Sequence, residues 1–182
     1  MIENLSIATV QHVLGNRMSF PHGPEILPMI RQLLSNAGAN FREVHHEPTR
    51  TSEESAKARG EELHIGGKAL LIEGDEVFRL FVLPADHKLD SGAIRRELNL
   101  KKMRFATPEE LNDLTGLVPG CVPPFGPPVL PFELCVDSAV TQNDLIAFNA
   151  GSLTDSIILS MSDYLAIACP SRVFTFSAIA GS

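Results

Sequence analysis

The sequence has few of the features that mark specialised protein classes. Its 182 residues include only three cysteines, which are Cys121, Cys135 and Cys169. An odd number of widely spaced cysteines argues against a disulfide framework or a zinc cluster. No apolar run approaches the length of a membrane helix, and the N-terminus has no basic start and carries Glu3, which is not typical of a signal peptide. We therefore expect a reduced, cytoplasmic protein with no metal site and no membrane partner.

Common cofactor and nucleophile motifs are also missing. The chain has no P-loop, no glycine set of the dinucleotide-binding type and no GxSxG sequence. The sequence therefore predicts no bound cofactor and no serine hydrolase of the elbow type.

Net charge limits the partners. The chain carries a formal charge of −7, which argues against indiscriminate nucleic-acid binding and against DNA as a partner. Residues 88–104 differ, because six cations and two anions give that segment a charge of +4. Its candidate tRNA contacts are Arg95, Arg96, Lys101 and Lys102. The alternative is an ordinary solvated helix and strand, as most charge runs are.

The chain alternates short strands and helices and shows no repeat. Its length suits one domain over residues 1–182, with residues 1–22 as a lead-in. The predicted helices are 24–38, 51–59, 91–98, 107–114 and 162–167, and the predicted strands are 41–47, 65–72, 76–83, 103–105, 130–137, 144–151, 155–160 and 173–177. Capping boxes begin two helices, TSEE at Thr51 and TPEE at Thr107. Neighbouring strands interrupted by single helices favour a mixed sheet of the α+β class.

The sequence TGLVPGCVPPFG, residues 115–126 and hereafter the Gly/Pro loop, contains three glycines, three prolines and one cysteine. Such a segment suits neither a helix nor a central strand. It is either a connector or a rigid backbone that approaches a ligand. Cys121 is a candidate nucleophile, but a cysteine hydrolase also needs a base, and no spacing in the chain identifies one.

Lys68 lies in the apolar segment HIGGKALLI, after Gly66 and Gly67. A lysine in such a strand must reach solvent at an edge or direct its ammonium into a polar cleft. An ammonium in a cleft would suit a phosphate or a developing oxyanion. His45 and His46 are adjacent on a predicted strand and therefore face opposite ways, which disfavours a metal pair.

Four stretches together resemble a known family. They are HHEPTRTSEESA, GGKALLI, the segment from Asp86 through the Gly/Pro loop, and FNAGSLTDSIIL. In this order and spacing, over about residues 27–176, the chain resembles the YbaK-type aminoacyl-tRNA deacylases, which share their fold with the editing domain of bacterial prolyl-tRNA synthetases. The resemblance implies a strongly curved, barrel-like mixed sheet with surrounding helices.

The resemblance also implies a reaction, which is hydrolysis of the ester that joins a wrong amino acid to tRNA. Mischarged tRNA is then the expected partner, with a synthetase as a second partner if the protein acts beside one, and the chain is expected to be freestanding. Lys68 would orient the terminal phosphate or the ester, and Gly120 would act with it in catalysis. The implied substrate-binding residues are His46, Thr51, Ala69, Gly116, Cys121, Pro124, Phe125, Gly126, Asn149 and Asp155.

Several positions depart from the family pattern. Val44 replaces a tyrosine of some members, Ala69 follows the lysine where relatives have Thr or Asn, and Cys121 replaces a loop glycine. The relatives' late aspartate corresponds to Asp155 or is displaced by Ser156. Amino-acid specificity therefore cannot be transferred. Two alternatives stay open, which are a non-catalytic binding module of the same fold and a Cys121-dependent hydrolase.

Overall fold

The structure is a computed structural model that describes residues 19–181. In this part of the chain there are five α-helices, α1 (Ile26–Asn36), α2 (Ser52–Arg59), α3 (Ser91–Leu98), α4 (Pro108–Thr115) and α5 (Met161–Ala168). Short 3₁₀ turns occupy Gly23–Glu25, Leu63–Ile65 and Val140–Gln142. The five predicted helices are all present.

The described strands are β1 (Phe41–His45), β2 (Gly67–Gly74), β3 (Val77–Pro84), β4 (His87–Leu89), β5 (Met103–Phe105), β6 (Glu133–Asp137), β7 (Leu145–Asn149), β8 (Asp155–Ser160), β9 (Arg172–Phe174) and β10 (Ser177–Ile179). They form a five-stranded sheet in the order β5-β2-β3-β6-β9, a three-stranded sheet β1-β8-β7 and a two-stranded ribbon of β4 and β10. The large sheet is mixed, because β6 is parallel to both β3 and β9 while β2 is antiparallel to its neighbours. The α+β prediction is confirmed.

The two capping boxes form as predicted. Thr51 Oγ accepts a hydrogen bond from the Glu54 amide, and the Glu54 carboxylate accepts one from the Thr51 amide. Thr107 and Glu110 make the same reciprocal pair. The start of α5 differs from the prediction of a cap at residues 162–163. Ser160 is the N-cap instead, and its hydroxyl accepts from the Asp163 amide at 3.1 Å.

Strand β3 is the centre of the large sheet and is buried on both faces. Leu80 and Val82 pack into the main core with α1, whereas Phe81 and Leu83 pack into a second core with α3. This alternation follows from the two-residue period of a strand, and it explains why residues 80–83 are all apolar rather than alternating with polar ones.

The barrel-like closure expected from the resemblance is not confirmed, since no closed sheet is seen in the described part of the chain. The three-stranded sheet meets the large one at a single parallel bridge between Gly66 and Ala147. Both edge strands of the large sheet, β5 and β9, are only three residues long. Edges this short give too little backbone to complete a circle of hydrogen bonds.

The C-terminal strand predicted at 173–177 is two strands. Residues Arg172–Phe174 join the large sheet as β9, and Ser177–Ile179 pair antiparallel with β4. Between them, the buried Phe176 donates its amide hydrogen to the Asp137 carboxylate at 2.6 Å.

Two further predictions concern the chain as a whole. Residues 1–18 of the lead-in lie outside the described residues, and the single-domain assignment stays a prediction. Across residues 19–181, none of the helices has both the length and the apolar character that crossing a membrane requires.

Candidate active site

A cavity of about 230 Å³ lies between α2, the start of β2, the Gly/Pro loop and the end of β7. Its walls are polar on the α2 side and mostly small or apolar elsewhere. The lining residues are Arg50, Thr51, Ser52, Ser55, Arg59, Gly66, Gly67, Lys68, Ala69, Leu70, Ala85, Gly120, Val122, Ala147, Phe148 and Asn149. Five of the residues predicted for catalysis or substrate binding are among them, namely Lys68, Gly120, Thr51, Ala69 and Asn149.

Lys68 lies at the start of β2 and is half-buried at the cavity. Its ammonium donates a hydrogen bond to the carbonyl oxygen of His87 in β4, at 2.9 Å. Burial lowers the pKa of Lys68 below its ordinary value of 10.5, and the carboxylates of Glu53 and Asp86 offset only part of that effect. No carboxylate forms an ion pair with this ammonium in the described structure, so its charge remains available to an anionic ligand.

Gly66 and Gly67, which precede Lys68, are closely surrounded by side chains of other segments. A Cβ at Gly66 would lie 2.8 Å from the Ala85 Cβ, and one at Gly67 would lie 2.8 Å from the Ile146 Cδ1. Neighbouring side chains therefore approach these two glycines closely, which lets the start of β2 meet β7 beside the cavity.

Helix α2 forms the polar wall. Ser52, Ser55 and Arg59 are spaced by three and four residues, which places them on one face of a helix, and all three line the cavity. The N-terminal end of this helix adjoins the Gly/Pro loop, since a Cβ at Gly120 would lie 3.6 Å from the Arg50 carbonyl oxygen.

The Gly/Pro loop presents backbone groups at the cavity. Gly120 has a φ of +95°, a conformation that favours glycine. The amides of Gly120 and Val122 donate to no acceptor among residues 19–181. Cys121, between them, is engaged, because its amide donates to the Val118 carbonyl and its own carbonyl accepts from the Gly151 amide. Uncommitted backbone amides of this kind are groups that bind an oxyanion.

Asn149 connects the loop to a buried hydrogen-bond network. Its Nδ2 donates to the Gly120 carbonyl at 2.9 Å, and its Oδ1 accepts from the Ser156 hydroxyl at 2.9 Å. Weaker contacts of 3.4 Å join Nδ2 to the hydroxyls of Thr49 and Ser55. The network therefore fixes both the carboxamide and the loop wall that it holds.

The structure places the predicted residues His46 and Asp155 outside the cavity lining. His46 Nε2 contacts the Ser156 hydroxyl at 2.8 Å, so it supports Asn149 through Ser156. Asp155 contacts His45 at 2.9 Å and accepts from the hydroxyls of Ser152 and Thr154. Burial alone would raise the pKa of Asp155, but these three hydrogen bonds outweigh it and lower the pKa to about 2.

The other predicted loop residues also pack away from the cavity. The Cys121 thiol is buried and donates to the Val118 carbonyl at 3.1 Å, and burial raises its pKa above 9.0. A thiol kept protonated in this way does not suit a nucleophile. Phe125 is buried against Phe148 and Tyr164. The remaining three positions are held by close packing or a backbone contact, as at Gly116, Pro124 and Gly126.

The four candidate tRNA-contacting cations lie on or just after α3. Arg95, Arg96, Lys101 and Lys102 are all exposed. The Asp75 carboxylate accepts hydrogen bonds from the backbone amides of Lys101 and Lys102, which fixes the turn while their side chains remain unpaired within the described residues. Arg104, by contrast, is engaged by Glu73 and Glu110. Strand β4, whose His87 carbonyl binds Lys68, leads directly into Asp90, the N-cap of α3.

Sequence reasoning did not identify Arg59, Ser55 or Val122 as cavity residues. The spacing of Ser52, Ser55 and Arg59 would have predicted that they share one face of α2. The burial of Arg59 could not be predicted from the local sequence, because it depends on distant chain segments. In the part of the chain that the structure describes, no group of three His, Cys, Asp or Glu side chains is arranged to hold a metal ion.

Several known proteins are similar to this chain in sequence. Residues 46–167 match the family described as the aminoacyl-tRNA editing domain. The Escherichia coli K12 protein named multifunctional Ser/Thr-tRNA deacylase ProXp-y is 40% identical over 147 residues, which cover 78% of this chain and 87% of that protein. A proline–tRNA ligase of Shouchella clausii is 34% identical over 77 residues, which are 42% of this chain and 14% of the ligase.

The fold is also similar to that of solved structures. One, described as a candidate trans-editing enzyme for prolyl-tRNA synthetase, superimposes with a TM-score of 0.72 at 26% sequence identity. The match covers 84% of this chain and 96% of that structure.

Proposed function

Because the chain belongs to the aminoacyl-tRNA editing domain family, we propose that it hydrolyses the ester of mischarged aminoacyl-tRNA. The observation that carries this proposal is the convergence of Lys68, two uncommitted loop amides and Asn149 at one cavity within the matched region. Ester hydrolysis needs positioning and oxyanion stabilisation rather than a strong nucleophile, since an aminoacyl ester is already activated.

The proposed reaction uses groups of the chain for binding and charge stabilisation. Water adds to the ester carbonyl, the carbon–oxygen bond to the ribose breaks, and the ribose oxygen takes up the proton. The amides of Gly120 and Val122, two residues that line the cavity, would receive the carbonyl oxygen as it becomes negative. The Lys68 ammonium, held by His87, supplies positive charge for the terminal phosphate or the ester.

The cavity suits a small aminoacyl group that carries a hydroxyl. The aminoacyl end would lie against Asn149 and Ser55, whose polar atoms face one another at 3.4 Å, with Val122 and Phe148 as apolar neighbours. The name of the Escherichia coli relative specifies serine and threonine. We propose the same two amino acids for the present chain, so tRNAs mischarged with serine or threonine are the first substrates to test.

The partners are proposed on the same basis. Mischarged tRNA would contact the exposed cations of α3 and the turn after it. Action in trans is supported by the similarity to the structure described as a trans-editing enzyme, of which the match covers 96%. Dependence on a synthetase and a cytoplasmic location stay predictions.

A deacylation panel tests the proposal. Wild type, Lys68→Ala and Cys121→Ala are incubated with Ser-, Thr-, Ala- and Cys-mischarged tRNAs, and the remaining ester is measured over time. We expect turnover by wild type and by Cys121→Ala, and loss of turnover in Lys68→Ala. Absence of wild-type turnover on every substrate would instead indicate a non-catalytic binding module. Loss only in Cys121→Ala would establish the thiol as the nucleophile.

A further inference from the structure

Arg59 is the last residue of α2, and only 6% of it is exposed. Its Nε is buried with no hydrogen-bond partner, and none of its guanidinium nitrogens donates to any residue in the range 19–181. Glu61 attracts the guanidinium electrostatically, but the Glu61 carboxylate is engaged by Arg42. Arginine is rarely buried without a partner because leaving its charge undercompensated is costly.

The needs of the helix do not explain this burial. A cation near the end of α2 would favour the helix dipole, but Lys57 already provides an exposed one in the same turn. Burial lowers the pKa of Arg59 to about 10, so the guanidinium remains charged at neutral pH. A buried, charged guanidinium whose N–H donors have no acceptor in the protein points to a ligand that supplies the acceptor.

The cavity gives the position of that ligand. Arg59 Nη2 would lie 3.5 Å from a Cβ built at Gly66, at the end of the cavity formed by the C-terminus of α2. The Gly/Pro loop adjoins the opposite end of the helix, beside Arg50. Seven residues separate Ser52 from Arg59, which corresponds to about 10 Å along a helix axis. The group that reaches Arg59 is therefore a different part of the substrate from the group at Gly120 and Asn149.

We propose that Arg59 binds the phosphodiester group on the 5′ side of the terminal adenosine of tRNA. The proposal rests on the proposed function, which places the aminoacyl ester at the Gly120 end of the cavity. The nucleotide then extends toward Arg59, and its phosphate is the only anionic group that it carries. A planar guanidinium matches two phosphate oxygens at once. Arg59 thus anchors the nucleotide, while the loop amides act on the ester.

The test compares substrates with and without this phosphate. Wild type, Arg59→Gln and Arg59→Lys are assayed on an aminoacylated CCA trinucleotide and on an aminoacyl-adenosine that has no phosphate. We expect Arg59→Gln to raise KM for the trinucleotide about ten-fold or more, as loss of a charge-assisted hydrogen bond implies. KM for aminoacyl-adenosine should stay the same, and Arg59→Lys should recover part of the trinucleotide affinity.

A matched control and a binding assay keep the result interpretable. Arg31→Gln removes an exposed arginine that pairs with Glu43 and does not line the cavity, and it should leave both substrates unaffected. Affinity is also measured with a non-hydrolysable 3′-amide analogue of the trinucleotide and with its phosphate-free counterpart. If wild type hydrolyses nothing, the proposed function fails, whereas these two affinities still test Arg59.

Equal weakening of both analogues by Arg59→Gln would overturn the phosphate assignment. Thermal unfolding of each variant accompanies the assays. If Arg59→Gln unfolds, the decision passes to Arg59→Lys, which retains the charge and loses the fork. Undiminished trinucleotide affinity in a folded Arg59→Lys, relative to wild type, would contradict bidentate binding.

Discussion

Asn149 Nδ2 donates a hydrogen bond to the Gly120 carbonyl at 2.9 Å, which ties the end of β7 to the Gly/Pro loop. Replacing Asn149 with aspartate keeps the shape but sets a carboxylate oxygen against that carbonyl. Because Asn149 is 8% exposed, we expect a loss of about 1–3 kcal/mol in the free energy of unfolding and a lower kcat. Urea unfolding and single-turnover deacylation measure the two effects.

Asn143 offers the matched control. Its Nδ2 also donates to a backbone carbonyl, that of His64 at 3.0 Å, but this hydrogen bond is exposed to solvent. Asn143→Asp should change stability little, since water can solvate the new carboxylate. Equal losses in the two variants would show that the carboxamide at residue 149 has no special role in holding the loop.

Lys68 should give deacylation an alkaline limit. Burial disfavours the ammonium, so the pKa of Lys68 in the folded protein lies below its unfolded value of 10.5. Between the two values the unfolded chain binds more protons, and the contribution of Lys68 to stability therefore rises with pH. Activity should move in the opposite direction, because the neutral amine cannot balance substrate charge.

The measurement is kcat/KM against pH, corrected for uncatalysed ester hydrolysis. As the pH rises, wild-type activity should begin to fall before pH 10.5 is reached, because the ammonium deprotonates. The Lys68→Arg variant should keep its residual activity across the same pH range. A shared alkaline loss in both variants would place the titration on another group.

The two capping boxes separate stability from function. Thr51 and Thr107 each accept a hydrogen bond from the amide three residues later, at 3.2 Å, but only Thr51 lines the cavity. Substitution of either threonine with alanine should cost about 1 kcal/mol of stability. Thr51→Ala should also reduce deacylation, while Thr107→Ala should not. Equal activity of the two variants would remove Thr51 from the substrate-binding set.

Local signals in the sequence were enough for most helices and strands. Capping residues fixed the start of α2 and α4, and α3 spans the predicted residues 91–98. Contacts between distant segments were not predictable from local pattern. The pairing of β4 with β10 joins residues about 90 positions apart. This pairing orders β4, whose His87 carbonyl accepts the hydrogen bond of the Lys68 ammonium. Sheet closure was inferred from resemblance alone, and it is the part of the fold that the structure does not confirm.

The candidate site divides in the same way. Lys68 was found because a lysine is conspicuous in an apolar strand, and Asn149 through the family pattern. Arg59 escaped notice because a charged residue at a helix end normally suggests solvent exposure. In the fold, Arg59 lines the cavity together with Gly66 and Ala85, and its Nη2 lies 3.5 Å from a Cβ built at Gly66. No local rule predicts this contact between distant segments.

Asp155 should make the protein sensitive to acid. Its pKa of about 2 lies below the ordinary 3.8, so the stability that it contributes is complete above the unfolded pKa and is lost as the pH falls through the folded one. Asp155→Asn should therefore be less stable than wild type at about pH 7, and the difference should vanish near pH 2. Urea midpoints measured across this range check the prediction, and a constant difference would contradict it.

The exposed cations of α3 and the following turn should bind tRNA through its phosphates. Reversing the charge of Arg95, Arg96, Lys101 and Lys102 leaves the buried core unchanged, because all four side chains are exposed. We expect weaker binding of full-length tRNA and a shallower dependence of affinity on salt, by roughly one unit of slope per lost phosphate contact. Filter binding at several salt concentrations measures both quantities.

A short substrate gives the control for this last prediction. An aminoacylated CCA trinucleotide occupies the cavity without the body of tRNA, so the charge-reversed protein should hydrolyse it at the wild-type rate. Unchanged salt dependence with full-length tRNA would exclude these cations as its contact surface. A parallel loss on the trinucleotide would show instead that the substitutions disturb the cavity, through β4 and the His87 carbonyl that holds Lys68.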